Sequence, residues 1–163
     1  MASKHQHLSL YREETVPNGD SFRLGIVVSE WNTDITEKLY QGCYNTLLKH
    51  KAKSENIISV YVPGSFELPQ AVQLLLESQE LDAVICLGCI IKGETSHDLH
   101  IASAVAHGIM NLGIDYSTPV IFGVLTTENM QQAVDRAGGK YGNKGDEAAI
   151  TALKMAALRE KLI

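Results

Sequence analysis

Basic blocks, aromatic arrays and long apolar runs are all missing from this sequence. Lys and Arg number 14 against 19 Asp and Glu, for a net charge of -5, and aromatics make up 6%. With no cationic stripe and no set of rings to stack bases, a nucleic-acid partner is not expected. No apolar run approaches the roughly 18 residues that a bilayer-spanning helix needs, so no membrane partner is expected either. The opening stretch MASKHQHLSLYREETVPNGD is polar and has no apolar signal region, which places the chain in the cytoplasm by expectation. Cysteine is sparse, with only Cys43, Cys86 and Cys89, an odd number without framework spacing, which predicts reduced thiols. The CLGC run at 86–89 has redox or zinc spacing. It falls in a strand-like stretch, however, where positions three apart point to opposite faces, so the two thiols are expected to be buried and inert. Walker-type and dinucleotide fingerprints are likewise absent.

What is present is an ordinary globular composition, with 163 residues and 45% hydrophobic content, enough for one domain with a real core. Residues 1–20 lack periodicity and read as an N-terminal arm; 21–163 read as one α/β domain. Apolar, β-branched runs predict strands over 22–30, 57–64, 82–91 and 119–127. Amphipathic stretches predict helices over 32–51, 66–79, 97–115, 128–137 and 144–162. Strands that are apolar throughout and alternate with helices imply a parallel sheet covered on both faces, hence a single three-layer αβα domain with four parallel strands. In such sheets ligands bind beyond the carboxyl ends of the strands. That rule selects SEWN, PGSFE, KGETSH and TTEN, the stretches that follow the four strands.

The richest of these is KGETSHDLH (92–100). Thr95 and Asp98 fit a capping box. Gly93 permits a close turn, and the N–H groups at the following helix start suit an anion. With His97 set at zero, Ile101, Val105, Ile109 and Leu112 lie at about 40–120° around the helix, while His100 and His107 lie near 300° and 280°. His97 therefore borders the core stripe at the ligand edge. A histidine placed there is a candidate to take and give protons. His100 and His107 are expected on a solvated or subunit-contact face. Metal chelation at His97, His100 and Asp98 is the competing chemistry, but Asp98 points elsewhere around the helix from the two histidines and no third ligand is evident; no metal is expected. In VPGSFELP (62–69), Ser65 is either a helix cap or, with Glu67 and backbone N–H groups, a partner for a polyol. Trp31 is either core or a stacking platform for a flat heterocycle. Arg136, Lys140 and Lys144 sit among glycines; Arg136 suits a helix C-terminus, and the cluster also suits a phosphate.

Taken together, SEWN, VPGSFELP, GCIIKGETSHD, TPVIFGVLTTENMQQAVDRAGGKYGNKG and EAAITALKMAAL are similar, in order and spacing, to the 6,7-dimethyl-8-ribityllumazine synthase family of riboflavin biosynthesis. The resemblance covers nearly all of residues 20–160. It implies a flavodoxin-like fold and the condensation of 5-amino-6-(D-ribitylamino)uracil with 3,4-dihydroxy-2-butanone 4-phosphate, by imine formation, phosphate elimination and ring closure. No cofactor is implied. By motif, His97 resembles the proton-transfer histidine, Arg136 the phosphate-binding arginine, and Gly93, Glu94 and Thr95 the phosphate cradle. Trp31 takes the place of the stacking aromatic. Asn32, Gly64, Ser65, Phe66 and Glu67 align with contacts to the ribityl chain and ring, and Cys89, Ile90, Ile91 and Lys92 with the strand end lining the pyrimidine pocket. Phe122, Arg136 and Lys144 resemble residues supplied by the adjacent subunit of a pentamer. The sequence departs from the family after His97, where Asp98, Leu99 and His100 replace an aromatic followed by an acid, and at Lys92, where arginine is common. The short GGKYGNKG turn points to a shell of twelve pentamers. The arm is a candidate to add a strand to a neighbour's sheet, and riboflavin synthase is a candidate partner. A non-catalytic lumazine- or flavin-binding module is the competing reading; it would keep Trp31 without needing His97 or Arg136.

Overall fold

The computed structural model describes residues 7–163. Four parallel strands form the sheet: β1 (Leu24–Ser29), β2 (Ile57–Val62), β3 (Ala83–Ile91) and β4 (Val120–Thr127), in the order β2-β1-β3-β4. β1 and β3 lie in the middle and are buried almost throughout, as their unbroken apolar runs require; β2 and β4 are edges and only partly covered.

The chain begins in the centre, runs outward to β2, then crosses back to β3 and β4. Crossovers between parallel strands keep one hand, so this reversal sends helices to opposite faces. α1 (Thr33–Lys49) and α5 (Lys144–Leu162) cover one face. α2 (Leu68–Ser78) and α3 (His97–Asp115) cover the other. Side chains alternate accordingly: Leu24, Ile26, Val28, Ile85, Leu87 and Cys89 belong to the first core, and Val27, Val84, Cys86 and Ile90 to the second. Cys86 and Cys89 thus point to opposite sides of the sheet, and all three cysteines are free and buried.

α1 and α5 meet at glycine. A Cβ at Gly145 would lie 1.9 Å from the Leu39 carbonyl oxygen, so the start of α5 can press against α1 only without a side chain. Asn143 caps α5, accepting from the Gly145 N–H at 2.8 Å while donating to Lys38 O at 2.8 Å.

Three local features differ from the expectation. The 66–79 helix begins instead as a 3-10 turn over Ser65–Glu67, with α2 following and Pro69 in its first turn. The expected loop after α4 (Met130–Arg136) is a small antiparallel hairpin, β5 (Ala137–Gly139) with β6 (Gly142–Asn143), turned by positive φ at Gly138 and Gly142. The Thr95–Asp98 capping box does not form: Ser96 occupies the cap position of α3 without a side-chain bond, and Thr95 Oγ1 accepts a long 3.4 Å contact from the His97 N–H.

The described part of the arm lies on its own chain. Leu8 N–H donates to Tyr141 O at 2.7 Å, Asn143 N–H donates to Ser9 Oγ at 2.8 Å, and the Tyr11 hydroxyl meets His50 Nε2 at 3.1 Å. Lys49 pairs with Glu13. The expected strand addition to a neighbour falls in part on residues 1–6, outside the described residues.

Candidate functional site

In a sheet ordered β2-β1-β3-β4, β1 and β3 are adjacent while their following connections depart to opposite faces. The gap this leaves beyond their carboxyl ends is where a ligand fits. A cleft of about 980 Å³ opens there. Its walls are Trp31 and Asn32 after β1, Gly64 to Glu67 after β2, Cys89 to Ile91 at the end of β3, and Gly93, Thr95 and His97 at the approach to α3.

The β1 end is held by backbone pairing. Glu30 N–H donates to Val62 O at 2.8 Å and Trp31 N–H to Pro63 O at 3.0 Å. Asn32 then turns in the left-handed region, φ 62° and ψ 46°, a conformation asparagine tolerates better than most residues. Its side chain does not cap α1. Instead Nδ2 donates to Cys89 O at 2.9 Å, tying the ends of β1 and β3 together across the cleft floor. Trp31, 73% exposed, and Phe66, 60% exposed, are not core residues; both stand at the cleft with ring surface open to solvent. Aromatic faces left open beside a cleft suit a planar heterocycle.

Polar groups are few and specific. Ser65 is 7% exposed and its Oγ has no partner among the described residues, so it is no helix cap. A Cβ at Gly88 would lie 2.6 Å from that oxygen, so β3 can carry the hydroxyl this close to its backbone only as glycine. A buried hydroxyl without a partner is costly, and a ligand hydroxyl or a water removes that cost. Burial pushes the Cys89 thiol up to about 11, which makes it a wall of the pocket and not a nucleophile.

Not every expected residue reaches the cleft. Lys92 pairs with Glu128 at 2.9 Å, its N–H bonded to Thr127 O at 2.8 Å, so TTEN shares the sheet edge but not the cleft wall. Glu94 is exposed and outside the lining. Phe122 lies on edge strand β4, in a separate apolar groove with Met110, Ile114 and Met155. Arg136 closes α4, and Lys144 opens α5 in an ion pair with Glu147 at 2.6 Å; neither touches the cleft. Asp98 and His100 also line it, and His100 is exposed, as expected of a solvated or subunit-contact face. In the first turn of a helix side chains tilt towards its N-terminus, which brings these two over the cleft mouth. Among the described residues no group of three His, Cys, Asp or Glu side chains comes together as a metal site. No described helix is long and apolar enough to cross a membrane.

Fold and cleft together define a doubly wound α/β protein with an open, aromatic-walled cleft at its switch point. Residues 21–160 match the family described as 6,7-dimethyl-8-ribityllumazine synthase. Relatives bearing that name include proteins of Parabacteroides distasonis, 55% identical over 95% of this chain and 97% of theirs, and Cytophaga hutchinsonii, 56% identical over 96% and 98%. A third, from Porphyromonas gingivalis, is 54% identical over 97% and 98%. The chain belongs to the 6,7-dimethyl-8-ribityllumazine synthase family.

Proposed function

We propose that this protein condenses 5-amino-6-(D-ribitylamino)uracil with 3,4-dihydroxy-2-butanone 4-phosphate to give 6,7-dimethyl-8-ribityllumazine, phosphate and water. The observation that carries this is the family match over residues 21–160. The cleft supports it: two open aromatic rings suit a pyrimidine, and Ser65, Glu67 and Asn32 suit a polyhydroxy chain.

The 5-amino group of the pyrimidine attacks the ketone, and loss of water gives an imine. Removal of a proton beside it expels phosphate from the terminal carbon. The resulting enol becomes a ketone, the ribityl-bearing nitrogen attacks it, and loss of a second water closes the ring. Each step is an addition by the substrate's own nitrogen, a proton transfer, or an elimination that proton transfer drives. The protein's work is therefore to orient two molecules and move protons. His97, on the cleft wall at the start of α3, is the proposed donor and acceptor. Gly93, Glu94 and Thr95 are the proposed backbone cradle for phosphate, with Lys92 fixing that loop through Glu128.

Arg136, Lys144 and Phe122 complete the site from the adjacent subunit in this proposal. Their distance from their own chain's cleft supports that arrangement, as do the exposed apolar side chains of α3, Leu99, Met110 and Ile114. The proposed assembly is a pentamer, closed into a sixty-subunit shell by the short 138–145 turn, in the cytoplasm, with riboflavin synthase as partner. The domain spans 21–163. Mixing the purified protein with both substrates should produce the fluorescent lumazine far faster than the uncatalysed reaction. Binding of lumazine without acceleration would instead indicate a carrier, and light scattering distinguishes pentamer from shell.

A further inference from the structure

Arg136 is held in an unusual way for an arginine that receives an anion. Its Nη1 donates to Gln132 O at 3.0 Å, one turn back on α4. Its guanidinium carbon sits 5.0 Å from the centre of the Tyr141 ring. Among the described residues it has no carboxylate partner; Asp135 beside it accepts from Gln131 Nε2 at 2.9 Å instead. A carboxylate would fix the guanidinium equally well, but would neutralise it and occupy its bidentate edge. An aromatic ring attracts the cation through its quadrupole and consumes none of its five N–H donors. The charge and the donors not given to Gln132 O stay available.

The ring is itself firmly placed. Tyr141 N–H donates to Asp135 O at 2.8 Å and Tyr141 O accepts from Leu8 N–H at 2.7 Å, so the backbone is fastened on both sides of the β5–β6 turn. Lys140 Nζ also lies 5.1 Å from the ring centre, adding a second cation to the same patch. We propose that Tyr141 is a positioning residue for Arg136, fixing its guanidinium in place without occupying its donors, for the phosphate of the four-carbon substrate. This rests on the function proposed above, with Arg136 completing the site from the adjacent subunit as the phosphate-binding arginine that the family resemblance implies.

The test is steady-state kinetics of lumazine formation, with each substrate varied in turn, for Arg136→Ala, Tyr141→Leu, Tyr141→Met and Tyr141→Phe. Loss of a partly exposed cation–π contact corresponds to about a two- to fivefold weakening. Tyr141→Leu and Tyr141→Met should raise KM for the phosphorylated substrate by that factor and weaken competitive inhibition by inorganic phosphate equally. KM for the pyrimidine and kcat should stay near wild type, and Tyr141→Phe, which keeps the ring, should behave as wild type. Because the turn is fastened through backbone atoms, both aliphatic variants should fold; either one alone suffices for the comparison. If Arg136→Ala is impaired and the aliphatic variants are not, the positioning role is wrong while the phosphate role stands. If Arg136→Ala matches wild type, the phosphate role itself fails. A Tyr141→Phe defect equal to that of Tyr141→Leu, or a uniform loss in both KM values and kcat, would overturn the ring-based account.

Discussion

Replacing Asn32 separates two jobs that this residue performs at once. One is to turn the chain in the left-handed region, at φ 62°. The other is to donate from Nδ2 to Cys89 O, joining the ends of β1 and β3. Asn32→Gly keeps the turn and loses the bond. Asn32→Ala loses both. The bond is half-buried, so its net worth is about 1 kcal/mol. A Cβ in the left-handed region costs about 1–2 kcal/mol, offset by the roughly 0.4–1 kcal/mol that alanine gains over glycine from a stiffer unfolded chain. Asn32→Ala should therefore be about 1 kcal/mol less stable than Asn32→Gly. Asn32→Asp tolerates the turn but faces one acceptor with another, so it should be no more stable than Asn32→Gly. Trp31, the only tryptophan, is the neighbouring residue, so its fluorescence reports both urea unfolding and pyrimidine binding. All three variants should bind the pyrimidine more weakly, with KM for the phosphorylated substrate unchanged. An Asn32→Gly protein equal to wild type in both stability and pyrimidine affinity would refute the role given to the bond. Equality of Asn32→Ala and Asn32→Gly would refute the role given to the backbone.

His97→Gln should lower kcat by about 10²- to 10⁴-fold, the usual worth of a general acid or base, while urea unfolding stays unchanged because His97 is exposed. Gly145→Ala places a methyl group 1.9 Å from Leu39 O, and should cost at least the roughly 1–3 kcal/mol of an overpacked core, seen as a lower unfolding midpoint. Burial, reinforced by the Lys49 charge, holds His50 below its ordinary value of 6.5. The unfolded chain thus binds that proton more readily, so the His50 contribution is whole above the ordinary value and is lost as pH falls to the lowered one. Unfolding midpoints measured across that window should fall more steeply for wild type than for His50→Gln; parallel curves would contradict the assignment.

The sheet was legible because its central strands, β1 and β3, are buried on both faces and so are apolar at nearly every position, Ser29 being the polar exception. The bounds of α3 and α5, at His97–Asp115 and Lys144–Leu162, agree with those read from the sequence, being set by a change from turn residues to helical periodicity. The β5–β6 hairpin was not legible. Its strands have three and two residues, too short for any alternation, and its glycines read equally well as a loop. The site divides along similar lines. Trp31, Ser65 and His97 follow strand ends, where topology alone puts ligands. The bond from Asn32 to Cys89 spans 57 residues and has no local pattern to announce it. The Thr95–Asp98 motif had a pattern and did not use it, since a capping box needs Thr95 at the cap position and the helix starts one residue later.

That 57-residue span has a kinetic meaning. The cleft floor exists only once β1 lies beside β3 in register, from Leu24 opposite Ala83 to Val28 opposite Leu87, a pairing that closes the whole α1–β2–α2 segment into a loop. Closing so long a loop comes late and is slow compared with forming any single helix. A half-folded chain therefore has helices but no floor, and cannot hold either substrate. Recovery of pyrimidine binding during refolding should lag behind recovery of helical signal, making the ligand a clock for the last step of folding.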